Sequence, residues 1–145
     1  LARAEYLDGD PVLIRRAISD RLLLSRNGTV VHFADFMFQH RQAANFPWVS
    51  QALWLYTQMV RWDGMAFDPA DAARAGRVFR PDVYRSALLG AQEPLPGASS
   101  KVEGALSQAI QVGTQQGVMT LENDRFFDGM VFDPADLAGY LKQLP

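Results

Sequence analysis

The sequence predicts an α/β chain that is predominantly helical with few short strands, and three observations carry that reading. Residues 48–62 set Trp48, Ala52, Leu55, Met59 and Trp62 on one stripe, with Val49, Leu53, Tyr56 and Val60 beside it, which makes a wide apolar helix face. The pairs Asp10-Pro11, Asp68-Pro69 and Asp133-Pro134 each place a side-chain acceptor before a residue without an amide, the chemistry of a helix start. Strand character is confined to the short β-branched run Thr29-Val30-Val31-His32-Phe33.

Taken in order, Leu1, Ala4 and Leu7 at spacing three predict the last turns of a helix that ends at Asp8-Gly9. The chain begins at Leu1 without a methionine, so a piece of a longer protein or a processed form is expected. Val12, Ile14, Ala17, Ile18 and Leu22 predict a helix over about 11–24, and Asn27-Gly28 then marks a turn before the strand. After the 48–62 helix, Asp63-Gly64 stops the pattern and Asp68-Pro69 starts another that runs through Val78. Arg80-Pro81 breaks it, because the residue before proline is pushed out of helical geometry, and a short helix follows to about Leu89. Residues 90–100, with Pro94, Pro96, Gly97, Ser99 and Ser100, read as a surface loop. Val102, Ala105, Ala109, Ile110 and Val112 make a mediocre helix pattern over 102–115, residues 111–123 have no clear period, Phe126-Phe127-Asp128-Gly129 is a turn with two core-type aromatics, and Asp133-Pro134 caps a terminal helix through Leu144. The stretch 63–73 is echoed by 128–138. Shared turn and capping chemistry accounts for the common residues without a duplication.

The 145 residues carry 48% hydrophobic and 21% charged side chains, enough apolar content to bury a core. No stretch reaches the roughly 20 apolar residues of a spanning helix, so the chain is expected not to span a membrane. With Lys+Arg 14 against Asp+Glu 16 and a net charge of -2, direct nucleic-acid binding is not expected, since that rests on clustered cations. Zero cysteines exclude disulfides, thiolate metal sites and thiol catalysis, and leave the compartment open.

Phosphate-loop, dinucleotide and nucleophile-elbow motifs are missing, so neither enzymatic activity nor a cofactor is expected. His32, Asp35 and His40 lack the close spacing of a zinc motif, and no metal site is expected. The densest polar and aromatic cluster is residues 38–48. There a small anion meets His40, Arg41, Gln42 and Asn45 as side-chain donors, beside the unpaired first amides of the helix that begins at Trp48. Against this stands a solvated loop that Phe46 and Trp48 anchor to the core. Phe46, Trp48, Trp54, Trp62, Phe79, Phe126 and Phe127 are assigned to packing. Arg77, Arg80 and Arg85 interleave with Phe79 and Tyr84, either as an aromatic-basic patch or as arginine stems lying over rings.

Four blocks carry a resemblance: Ala44-Asn45-Phe46-Pro47-Trp48-Val49-Ser50-Gln51-Ala52-Leu53-Trp54; Gln58-Met59-Val60-Arg61-Trp62; Val78-Phe79-Arg80-Pro81-Asp82-Val83-Tyr84-Arg85-Ser86-Ala87; and Phe126-Phe127-Asp128-Gly129 with Phe132-Asp133-Pro134 before Tyr140-Leu141. Their order and spacing resemble the C-terminal region of the nitrate/bicarbonate-binding protein family, the solute receptors of ABC transporters together with related cytoplasmic nitrate/nitrite sensors. The resemblance implies the C-terminal part of a two-lobed periplasmic-binding-protein-like (type II) fold, closing on its ligand by hinge motion. Residues 1–145 would then be a single segment of a larger receptor rather than a complete two-lobed domain. It implies binding of a small inorganic anion (nitrate or nitrite first, bicarbonate second) in a periplasmic or membrane-associated setting with ABC transporter membrane subunits. The alternative it allows is a cytoplasmic sensor that sequesters an RNA-binding antiterminator, with Arg77, Arg80, Tyr84 and Arg85 as its surface. The family's nitrate-holding groups mostly precede this region, so none is carried onto a numbered residue, and the loop of His40, Arg41, Gln42, Asn45 and Trp48 is the expected ligand contact. Helix faces whose partners lie in the rest of such a receptor predict self-association of the isolated chain.

Overall fold

Asp10 accepts the Val12 amide at 2.7 Å, so the first helix, α1 (Pro11–Ala17), starts where the Asp-Pro pair predicts. The computed structural model describes residues 1–19, 21–33, 41–91, 93–114 and 116–144, without the side chain of Arg41. The chain divides into two units, Leu1–Gln39 and His40–Pro145.

In the first unit, α1 ends sooner than the apolar spacing predicts. Residues 21–23 leave the helix as β1 (Arg21–Leu23), which pairs antiparallel with β2 (Val30–His32) in the register Leu22 to Val31. A turn at Asn27-Gly28, with Gly28 at φ +89, closes the hairpin, and the Leu24 amide donates to the Thr29 carbonyl at 2.9 Å. Hydrogen bonds across that turn win over a helical continuation whose apolar face has nothing to cover it. Residues 1–7 are turns rather than the end of a helix, with the Tyr6 and Asp8 amides both donating to the Arg3 carbonyl. None of residues 1–19 or 21–33 is buried.

The second unit is organised by α2 (Val49–Trp62), which begins one residue after Trp48. Asp68 caps α3 (Pro69–Gly76) by accepting the Ala70 amide at 2.6 Å, and its own backbone is gripped twice by the buried Tyr56 hydroxyl. Gly76 lies against Leu53 and Val49 of α2, and α3 ends there, short of the predicted Val78, with Arg77 as its C-cap. Pro81 opens α4 (Pro81–Ala87) as its sequence predicts. No helix forms over 102–115. Residues 101–109 are irregular, followed by an antiparallel hairpin of β3 (Ile110–Thr114) and β4 (Gly117–Leu121). The last helix, α5 (Leu137–Gln143), takes Asp136 as its cap. At the second echo copy Asp133 does accept the Ala135 amide at 2.9 Å, yet this makes only a turn, and the helix waits three residues more. The two copies therefore share turn chemistry and differ in the element each turn leads into. No helix among the described residues is long and apolar enough to cross a membrane.

Two packed centres hold the unit. In one, Phe46 and Trp48 meet edge to face at 4.7 Å, and Ala43 and Met119 bury with them against Tyr84, Val112 and Leu121. In the other, fully buried Phe132 meets Tyr140 edge to face at 5.0 Å, and the Tyr140 hydroxyl accepts the Trp54 indole N–H at 3.2 Å. Trp48, Phe46, Trp54, Phe79 and Phe126 thus pack at least in part, as assigned. Trp62 and Phe127 do not: Trp62 is 72% exposed and Phe127 stands fully in solvent, because the 126–129 turn sends only Phe126 toward Trp54.

Truncating Phe132 to Ala is expected to cost about 3–5 kcal/mol in urea unfolding, whereas Phe127→Ala changes stability by less than about 0.5 kcal/mol. Equal effects would sink this assignment of the core. Leu55, Met59 and Trp62 leave an exposed apolar stripe on α2, so sedimentation of the chain is expected to show concentration-dependent association that weakens in Trp62→Ser. A clean monomer at all concentrations would count against it.

Candidate functional site

The loop singled out from the sequence runs into a cavity of about 190 Å³ lined by Gln42, Trp48, Gln51, Lys101, Glu103, Asp124 and neighbouring residues. Of the expected ligand contacts, Gln42 and Trp48 reach this cavity, while Asn45 is exposed and does not line it. His40 lies outside the described residues, and so does the Arg41 side chain. Gln42 and Ala43 sit consecutively in left-handed backbone, at φ +59 and +55. Each such non-glycine residue costs of order 1–3 kcal/mol, which the buried packing of Ala43, Phe46 and Trp48 offsets.

The start of α2 is not the open anion site that its sequence suggests. The Val49 amide donates to the Ser99 carbonyl at 2.9 Å, and the Gln51 amide turns back to the Trp48 carbonyl. Beside them the Ser50 hydroxyl donates to Glu103 Oε1 at 2.6 Å, both residues being buried. The positive end of the helix dipole therefore already faces an anion, the carboxylate of Glu103. Arg85 holds the arrangement from behind. Its guanidinium donates to the carbonyls of Pro96, Gly97 and Ala98 and to the Ser99 hydroxyl, and it lies 5.0 Å over the Phe46 ring.

Glu103 is also the hub of a charged cluster. Lys101 Nζ donates to Glu103 Oε2 at 2.5 Å and to Asp124 Oδ2 at 2.6 Å, while Asp124 Oδ1 accepts the Leu106 amide at 2.8 Å. Backbone bonds between Glu103 and Phe132, 3.0 and 2.9 Å, tie the cluster to the second core centre. The next residue, Gly104, adopts φ +81 where an added Cβ would meet the Met130 carbonyl at 2.7 Å, so only glycine fits there. Burial alone would lower the Lys101 ammonium, but hydrogen bonds to Asp124 and Glu103 outweigh it and hold its pKa above the ordinary 10.5. Burial would raise Asp124, and the bonds from Lys101 and Leu106 outweigh that, keeping it below 3.8.

One ammonium shared by two carboxylates leaves this cluster net negative, and Glu122 on the cavity wall adds to the sign. Chemically the cavity attracts donors and cations and opposes an anion. Sequence reasoning missed Lys101, Glu103 and Asp124. The available signal was the Lys101-Val102-Glu103 spacing, which puts both charges on one side of an extended segment.

The other candidate sets are not assembled. Arg85 is engaged by the 96–99 loop, Tyr84 packs on Phe46 at 5.6 Å, and Arg80 pairs with exposed Asp82, whose pKa it holds at about 2. Of His32, Asp35 and His40 only His32 is described, and among the described residues no three metal-ligating side chains come together.

The signs of the two shifts set a pH window. The Asp124 contribution is present above 3.8 and lost as pH falls below it, whereas the Lys101 contribution is present below 10.5 and lost above it. A double-mutant cycle of Lys101→Met and Asp124→Asn, read by urea unfolding, is expected to show about 1–2 kcal/mol of coupling at neutral pH, vanishing in acid below the Asp124 pKa. Coupling that is zero at neutral pH, or that survives in strong acid, contradicts the ion-pair reading.

No protein-family model matches the chain, and no solved structure matches it. It is similar to the nitrate/nitrite binding protein NrtA of Synechococcus elongatus, 30% identical over 103 residues that make up 70% of this chain and 19% of that protein. NrtA of a Synechocystis species is 27% identical over 101 residues, 70% of this chain and 19% of that protein. The nitrate import ATP-binding protein NrtC of Synechocystis is 30% identical over 109 residues, 75% of this chain and 13% of that protein. The chain thus spans less than a fifth of the length of these curated relatives. At low identity, and over most of its own length, it is a distant relative of proteins that bind or import nitrate and nitrite.

Proposed function

We propose that this chain is the C-terminal segment of a larger two-lobed solute receptor that binds a small oxyanion, nitrate or nitrite before bicarbonate, and delivers it to the membrane subunits of an ABC importer. The observation that carries the reading is the similarity to NrtA across 70% of the chain. Two of the matched relatives are nitrate/nitrite binding proteins, which favours a receptor over an enzyme and a periplasmic or membrane-associated place of work. Nitrate is a planar monoanion, and a receptor holds it with neutral and cationic donors. The proposed contribution of this segment is therefore the loop of His40, Arg41, Gln42, Asn45 and Trp48, without the start of α2, where the Val49 and Gln51 amides already donate to the Ser99 and Trp48 carbonyls and the Ser50 hydroxyl already meets the Glu103 carboxylate. The cavity behind the loop has the opposite preference and is left out of the anion site. A cytoplasmic sensor that holds an antiterminator is the less favoured reading, since Arg85 and Tyr84 of its expected surface are engaged by the 96–99 loop and by Phe46.

The test is calorimetric titration of the full-length parent with nitrate, nitrite, bicarbonate and sulfate. Saturable heats for nitrate and nitrite, weaker ones for bicarbonate and none for sulfate are expected, and Arg41→Ala should weaken nitrate by about tenfold, equivalent to ~1.4 kcal/mol. Silence with both nitrate and nitrite would overturn the assignment. Wild-type affinity in Arg41→Ala and in His40→Ala would remove the loop from the site while leaving the receptor reading in place.

A further inference from the structure

Glu103 and Gln51 also line a second, larger cavity of about 310 Å³, completed by Trp54, Leu55, Phe79 and Phe126. Its walls are chemically unlike those of the first. Three aromatic rings and one leucine supply most of the surface, with Trp54 and Phe126 at 5.6 Å between ring centres and tilted by 38°. Trp54, Phe79 and Phe126 are each half-buried, so the rings are fixed by packing yet open to a ligand. The Trp54 indole N–H is already spent on Tyr140, and among the described residues no cationic side chain lines the cavity.

The three rings and the Glu103 carboxylate make most of this lining electron-rich. Ring faces carry the negative part of the aromatic quadrupole. A carboxylate has about four lone-pair sites, and Glu103 uses one on Ser50 and one on Lys101, so acceptor capacity remains. Lys101, the cation bonded to Glu103, is shared between Glu103 and Asp124, which leaves the three groups net negative. An anion would lose its hydration and gain no donor except the Gln51 amide. Bare ammonium would lose several water hydrogen bonds for one carboxylate. A cation whose charge is spread over methyl groups loses least and gains most, because it needs few acceptors and attracts ring faces.

We propose that this cavity binds a small alkylated ammonium ion, its methylated head against Trp54, Phe79 and Phe126 and on the side of Glu103. The site takes a cation and shares no residue with the loop assigned to the oxyanion, so the two assignments stand or fall separately. The experiment titrates the chain with choline chloride and, at equal ionic strength, with its neutral isostere 3,3-dimethylbutan-1-ol, following the Trp54 indole N–H resonance. Saturable shifts with choline are expected, with the isostere at least about tenfold weaker. Phe79→Leu and Phe126→Leu, which keep the apolar volume, should each weaken choline by roughly three- to tenfold. Equal affinity for choline and the isostere would show a plain apolar slot and overturn the proposal without recourse to any variant. Absence of a saturable choline shift, or unchanged affinity in both leucine variants, would overturn it as well. Nitrate added in place of choline is expected to leave the Trp54 resonance where it is, and this arm is separate from the oxyanion titration of the parent.

Discussion

A carboxylate removed from water must be answered by donors and opposite charge or it destabilises the fold that buries it. Glu103 is that carboxylate here, 6% exposed and met by the Ser50 hydroxyl and the Lys101 ammonium. The demand reaches far along the chain. Ser50 brings the first turn of α2, Asp124 brings the segment after β4 through Lys101, and the backbone of Glu103 itself brings Phe132 and hence Tyr140 and Trp54. Packing on either side then has a frame to close against. Removing Lys101 would leave the buried Glu103 with only the Ser50 hydroxyl to answer it, which costs more than the net gain of making the pair.

The same carboxylate decides which chemistry the second unit can host. A helix of fourteen residues ordinarily offers its first amides and its dipole to an incoming anion. Here an internal anion and the Ser99 carbonyl use that capacity, and Arg85 fixes the loop that supplies the carbonyl. Both cavities that touch Glu103 consequently favour donors or cations. A receptor for an oxyanion built on this segment has to find its positive groups elsewhere, in the loop that precedes α2 and in the part of the relatives that this chain does not span.

The features legible along the chain were those that depend on near neighbours. The starts of α1, α3 and α4 follow from Asp-Pro, Asp-Pro and Pro81, whose effects act within a turn. The apolar stripe of α2 is likewise a local period, although that stripe does not tell which part is covered: Ala52 is buried, while Trp62 on the same stripe is not. The β3–β4 hairpin was illegible because its turn holds no Asn-Gly and its glycines fall at Gly113 and Gly117. The 21–24 stretch fits a helical period, yet residues 21–23 form a strand, because their backbone partner lies across a turn. In the candidate site, Gln42 and Trp48 were legible as a polar and aromatic cluster, and their acidic neighbours were not.

The amino-acid sequence by itself determined a helix-rich chain with few short strands, the starts of α1, α3 and α4, the freedom from thiol chemistry, and, through its four blocks, a resemblance that points toward nitrate. Only the tertiary structure decided that Glu103 meets Ser50 across 53 residues and that Lys101 reaches Asp124 across 23. No periodicity records such pairs, since the electrostatic demand of a buried charge is met by whatever donor the fold brings near it, irrespective of distance along the chain.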